Sequence, residues 1–180
     1  KPNEQRIIST DVALLASKKQ NNDAASIFIN SAIPTNNQKY VGNMIYTENH
    51  EGLNTDELAL IIRRYYEMYK CTYIALDVKG IGLGVYDCLI KDMYDPLTGE
   101  TYGALSCCND KVYADRCKVP NAPKVIWAIQ ATAQFNNDMY LSLREGLRQH
   151  KINLLINEFE AEEILRDIRG YNSLEMSNKT

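Results

Sequence analysis

The stretch Tyr73-Ile74-Ala75-Leu76-Asp77-Val78-Lys79-Gly80-Ile81-Gly82-Leu83-Gly84 decides the fold. Four apolar residues run into a carboxylate, which reads as a short buried strand ending in Asp77. The glycine run then leads into a helix near Val85 to Lys91, with Val85, Cys88 and Leu89 facing inward. Upstream, Asn54 and Glu57 make a capping box for a helix whose Leu58, Ile61, Ile62, Tyr65 and Tyr69 fall on one face. Lys70-Cys71-Thr72 ends that helix. A sheet strand followed by one helix and another strand implies a parallel crossover, so the strand ending at Asp77 should lie parallel to an earlier one.

Working outward, Arg6-Ile7-Ile8-Ser9-Thr10-Asp11 reads as a first strand that also ends in a carboxylate. Ala25 to Ile33 reads as a second strand, Pro34-Thr35-Asn36-Asn37 as a turn and Tyr40 to Thr47 as a third strand. The short connections favour an antiparallel meander. Downstream, Asp95 to Pro123 is irregular, with a hairpin expected around Gly99 and Gly103. Lys124 to Ile129 reads as a strand and Asn136 to His150 as a helix with Tyr140, Leu143 and Leu147 inward. A last strand, Ile152 to Ile156, and a last helix, Glu158 to Arg169, follow. No repeat, low-complexity segment or linker divides residues 1–180, so one α/β domain is expected.

The composition fits that expectation. The chain has 180 residues, 45% hydrophobic and 24% charged, with 9 Gly and 5 Pro, enough to bury one core. No apolar run approaches the roughly 20 residues of a membrane span, and nothing at the start reads as a signal peptide. Lys1 in place of Met suggests a piece of a longer polypeptide. The five cysteines (Cys71, Cys88, Cys107, Cys108, Cys117) are odd in number, which favours reduced thiols in a cytosolic compartment. Cys107, Cys108 and Cys117 lack the paired spacing of zinc ligands, and His50 and His150 have no partner at ligand spacing. The net charge is −3, yet residues 111–151 carry a local +4. A basic segment in an acidic chain can meet phosphates, and a solvated surface gives the same pattern.

Asp11 and Asp77 carry the chemistry. If their strands are parallel neighbours, both carboxylates leave the same edge of the sheet, the edge where ligands bind in open α/β sheets. Two carboxylates a few ångströms apart raise each other's pKa unless a cation lies between them, and hard ions such as Mg²⁺ or Mn²⁺ take such oxygen ligands. Two ions about 4 Å apart can activate water and stabilise the leaving oxygen of a phosphodiester. An Asp after a strand is otherwise a turn or helix cap. The glycines do not keep dinucleotide-binding spacing, and no Walker A loop is present. Glycines beside Asp77 instead permit close approach of backbone, metal or DNA. Asp87, on the following helix, either hydrogen-bonds the site or faces solvent.

These residues resemble a known family. Ser9-Thr10-Asp11-Val12-Ala13 with Asn22-Asp23-Ala24-Ala25 is similar to the first metal-binding strand and turn of the nuclease domain of viral (phage-type) terminase large subunits. Residues Ala75 to Leu89 resemble that family's second acidic strand and its Gly-x-Gly…Asp…Leu helix. Gln134 to Asp138, Leu143 to Leu147 and Lys151 to Leu155 resemble the helix and strand that follow. The resemblance implies a ribonuclease-H-like fold, a central mixed sheet with helices on both faces. It implies a two-metal endonuclease, using Mg²⁺ or Mn²⁺, that cuts concatemeric double-stranded DNA during genome packaging. Carried over by position, Asp11 would ligate both ions and Asp77 one, with Asp23 and Asp87 as supporting candidates. Lys79, Lys111, Lys118, Lys124, Arg144 and Arg148 are the candidates for backbone phosphate contact.

The same resemblance implies an upstream ATPase motor, the terminase small subunit and the portal as partners, no membrane, and the host cell cytoplasm. The family's third acidic ligand lies in a C-terminal helical segment. Glu160, Glu162, Glu163 and Asp167 match no such context, so that ligand is expected beyond Thr180. A resolvase- or transposase-type nuclease of the same fold, and a non-catalytic docking platform, are the alternatives.

Overall fold

A computed structural model describes residues 3–12, 24–36 and 39–154. The first three strands, β1 (Gln5–Asp11), β2 (Ala25–Pro34) and β3 (Tyr40–His50), form the expected antiparallel meander. Helix α1 (Thr55–Met68) follows, and the Glu57 carboxylate accepts the Asn54 backbone N–H at 2.8 Å to close its first turn. The chain returns through β4 (Tyr73–Asp77), parallel to β1. Helix α2 (Gly82–Leu89) leads to a small hairpin, β5 (Met93–Tyr94) with β6 (Thr101–Tyr102). Then come β7 (Ser106–Cys107), the short α3 (Lys111–Ala114), β8 (Lys124–Ile129), α4 (Ala133–Arg148) and β9 (Ile152–Asn153).

The main sheet has seven strands in the order β7-β8-β4-β1-β2-β3-β9. Only β2 runs against the others. This is an open mixed α/β sheet flanked by helices. Its strands alternate, as a period of two requires. Ile8, Ile27, Ile29, Ile74, Leu76 and Ile126 point to one face and are fully buried against Leu58 and Ile62 of α1 and Val85 and Leu89 of α2. Each such side chain contributes about 1.5–3 kcal/mol over exposure. The other face carries Ile7, Ser9, Phe28, Tyr73 and Trp127, and Trp127 is 48% exposed with its ring edge-on to Tyr73.

Two polar latches tie the helical layer to its surroundings. On α1, Tyr65 donates to the Glu48 carboxylate of β3, where Tyr46 adds a second bond at 3.1 Å. The Tyr65 hydroxyl bond holds Glu48 below the usual carboxylate range, while burial pushes the Tyr65 phenol up. Arg64 of α1 grips the fully buried Asp95 with two bonds, at 2.8 and 2.9 Å. The Leu97 N–H and the Tyr102 hydroxyl complete the shell of Asp95. Arg63 lies 5.2 and 5.3 Å from the centres of the Tyr66 and Tyr102 rings. The hairpin is thereby strapped to α1 by cations and aromatic faces, beside Met93 packed against the core.

Several boundaries differ from the sequence reading. β3 extends to His50 because Glu48, Asn49 and His50 continue to pair with Ile27, Ser26 and Ala25. α2 begins at Gly82, three residues early, and Cys88 is half-buried and packs against the core. The turn at α3, capped by Asp110, was not legible. In α4 no residue is buried among the described surroundings: Tyr140 and Leu147 are half-buried and Leu143 is exposed. β9 stops at Asn153, and the helix expected from Glu158 to Arg169 lies outside the described residues.

Candidate functional site

Strand register builds the site. β1 and β4 pair in parallel, Ile7 with Tyr73 through Thr10 with Leu76, and Asp11 and Asp77 each come one residue later. Thr10 and Leu76 are buried on the α1 face, so Asp11 and Asp77 project from the opposite face. Adjacent strands stand ~4.8 Å apart, which sets the two carboxylates side by side at the carboxyl edge of the sheet. Both are open to solvent to some degree, Asp11 exposed and Asp77 half-buried. Among the described residues neither has a cationic partner.

The loop after β4 is built around Asp77. Its Oδ1 accepts the Lys79 backbone N–H at 3.0 Å, a local turn that fixes the carboxylate. Gly80 follows with φ +54°, a conformation that favours glycine. Gly82 then passes so near the strand end that a Cβ there would stand 1.8 Å from the Asp77 carbonyl oxygen. On the far side, Val78 N–H donates to the Ile129 carbonyl at 2.8 Å, and Lys79 Nζ donates to the Ala131 carbonyl. The β4 and β8 tips are thus stitched together beside the carboxylates.

The remaining candidates scatter. Asp87 spends both oxygens on Arg116, at 2.5 to 3.0 Å, rather than supporting Asp77. Asp87 was invisible as an ion pair in sequence because its partner lies 29 residues on. Lys79 is at the site, and its ammonium group donates one of its three N–H bonds to the Ala131 carbonyl. Lys124 opens β8, five residues before Ile129, so it stands ~16 Å away along the strand. Lys118 donates to the Asp115 carbonyl at 2.6 Å and borders a cleft of about 460 Å³ with Asp87, Val112 and Arg116. Lys111 starts α3, Arg144 lies on α4, and Arg148 pairs with Glu145 at 2.7 Å. Asp23 lies outside the described residues.

Asp11 and Asp77 are hard oxygen donors of the kind Mg²⁺ and Mn²⁺ use, and such ions need only one or two carboxylates when water fills the remaining positions. Among the described residues no group of three or more His, Cys, Asp or Glu could hold a metal ion. That covers the cysteines: Cys108 and Cys117 point their thiols at the Ile126 and Ile90 carbonyls.

Sequence reasoning missed two neighbours. Asp11 pairs with Ser26 across β1–β2, and Ser26 pairs with Asn49 across β2–β3. The Ser26 hydroxyl donates to Asn49 Oδ1 at 2.7 Å. Asp77, Asp11, Ser26 and Asn49 therefore form one polar row on one face at one edge. No motif marks Ser26 or Asn49, and the available signal was the strand alternation that puts them in register with Asp11. No family model, curated protein or solved structure matches the chain. No helix among the described residues is long and apolar enough to cross a membrane.

Proposed function

We propose that the chain is the nuclease module of a viral DNA-packaging terminase large subunit, a metal-dependent endonuclease acting on double-stranded DNA. The observation that carries this reading is the register of β1 and β4, which sets Asp11 and Asp77 side by side at the carboxyl edge. The strand order β3-β2-β1-β4-β8, with β2 alone reversed, is compatible with the central mixed sheet that the resemblance implies. The crossover from β8 to β9 runs opposite to that from β3 to β4, so the usual right-handed sense carries α4 over the face opposite α1. That sense would agree with the helices on both faces that the resemblance implies.

In this reading Asp11 and Asp77 would hold Mg²⁺ or Mn²⁺, with a second ion where a further acid completes the site. The ions would lower the pKa of water and neutralise the phosphodiester. The Lys79 N–H fixes Asp77 Oδ1, leaving Oδ2 without a hydrogen-bond partner among the described residues. The Val78–Ile129 bond and the bond from Lys79 Nζ to the Ala131 carbonyl keep the β4 tip from moving as charge accumulates. Among the described residues no element reads as a recognition helix, in keeping with the low sequence preference expected. By the same resemblance, the small subunit and portal would be its partners and the host cytoplasm its location.

The test is nicking of supercoiled plasmid in Mn²⁺ against EDTA, comparing the parent with Asp77→Asn. Metal-dependent nicking by the parent and its loss in the variant are expected. A four-way junction cut in preference to linear duplex would favour a resolvase of the same fold. The non-catalytic platform is favoured by one observation, that only two acids meet among the described residues. Absence of metal-dependent nicking in a chain extended past Thr180 would establish it over the nuclease.

A further inference from the structure

Resting on the nuclease reading, we infer that Asn49, oriented by Ser26, contacts a backbone phosphate of the DNA strand beside the one cut at Asp11 and Asp77. Register carries the argument. From Asp77 the row runs to Asp11, Ser26 and Asn49, one residue from each of four adjacent strands on the same face. Asn49 is two strand spacings from Asp11, ~10 Å. That is the reach of roughly three nucleotides along a backbone whose charges recur every 3.4 Å of axis per strand.

The amide is set for donation. Ser26 Oγ donates to Asn49 Oδ1 at 2.7 Å, which orients the amide and leaves the two N–H donors of Nδ2 without a partner among the described residues. Asn49 is exposed. Backbone pairing of Ser26 with Asn49 and of Ala25 with His50 already holds this end of the ladder, so a side-chain bond in solvent contributes little to the sheet. The chemistry also suits the location. A cation here would compete with metal for the nearby carboxylates, and a third acid would repel the strand. A neutral amide donates to a phosphate oxygen without either cost, and Ser and Asn commonly make such contacts without reading sequence.

The experiment uses the whole chain and four variants: Asn49→Ala, Asn49→Asp, Ser26→Ala and, as a same-face control, Thr47→Ala. Nicking of supercoiled plasmid in Mn²⁺ gives KM and kcat. Anisotropy of a fluorescein-labelled duplex in Ca²⁺ gives affinity, and Tm reports folding. Asn49→Ala should raise KM about fivefold, the loss of one hydrogen bond, with kcat within twofold. Asn49→Asp should raise it further, Ser26→Ala less, and Thr47→Ala not at all. Because the contact is neutral, Asn49→Ala should leave the salt dependence of binding unchanged. A fall in kcat at constant KM, or KM and affinity within twofold of the parent in every Asn49 variant, would overturn the inference. If neither the parent nor a chain extended past Thr180 nicks, the nuclease reading fails on its own. Anisotropy then still decides: weaker duplex binding by Asn49→Ala supports the contact, and unchanged affinity removes it.

Discussion

Four aspartates divide this molecule into two regions. Asp95 and Asp87, in and beside the insert between β4 and β8, are each gripped by a guanidinium group through more than one bond. Asp11 and Asp77, at the carboxyl edge of the sheet, have no cation among the described residues, although they stand one strand apart. The first region answers its charges from within and so holds an irregular stretch in place. The second leaves like charges adjacent and open, an arrangement that is unfavourable unless something positive arrives. Saturated carboxylates here are structural, and unsaturated ones are the candidate site.

Substitutions at the two regions should therefore fail in opposite ways. The largest effect is expected at the edge: Asp77→Asn should lower metal-dependent nicking at least a hundredfold while Tm stays within a degree or two, read by plasmid assay and thermal melt. Asp95→Asn should do the reverse. It leaves Arg64 without its buried partner and should drop Tm by roughly 10 °C, with nicking per folded molecule unchanged. Gly82→Ala sharpens the contrast because it touches both properties. The added methyl meets the Asp77 carbonyl, so urea denaturation should show a loss of about 1–3 kcal/mol together with reduced nicking.

Acid titration separates the regions more gently. Arg64 holds the Asp95 carboxyl well below the usual carboxylate range. The stability it contributes is therefore fully present above the ordinary carboxylate pKa and is lost as pH falls toward the depressed one. Between about pH 4 and pH 2, Tm should fall more steeply in the parent than in Asp95→Asn. The smallest effect belongs to Asp87→Asn. Its pair with Arg116 is partly exposed, and such pairs contribute little, so nicking should stay within twofold. A large loss of nicking there would move Asp87 back into the site.

The legible and illegible parts of the chain divide along physical lines. Asp11 and Asp77 stood out because apolar, β-branched residues lead directly into each, and the β-α-β crossover made their strands parallel. The capped α1 was legible from local spacing alone. Ser26 and Asn49 were not, since polar residues on the open face of a strand look alike until register chooses among them. The bond between Asp95 and Arg64 spans 31 residues and joins an irregular loop to a helix, a pairing that no local pattern encodes. In α4 the 3.6-residue periodicity is present, yet Leu143 is exposed. Periodicity names a face but not what covers it.

Manganese binding followed by electron paramagnetic resonance, on the parent, Asp11→Asn, Asp77→Asn and the double variant, tests the shared cavity most directly. If both carboxylates hold one ion, each single change should weaken binding at least tenfold and the double change should add little more, because sites in contact are not additive. Retained Mn²⁺ affinity in either single variant, or losses that simply add, would place the two carboxylates on separate errands and contradict the account.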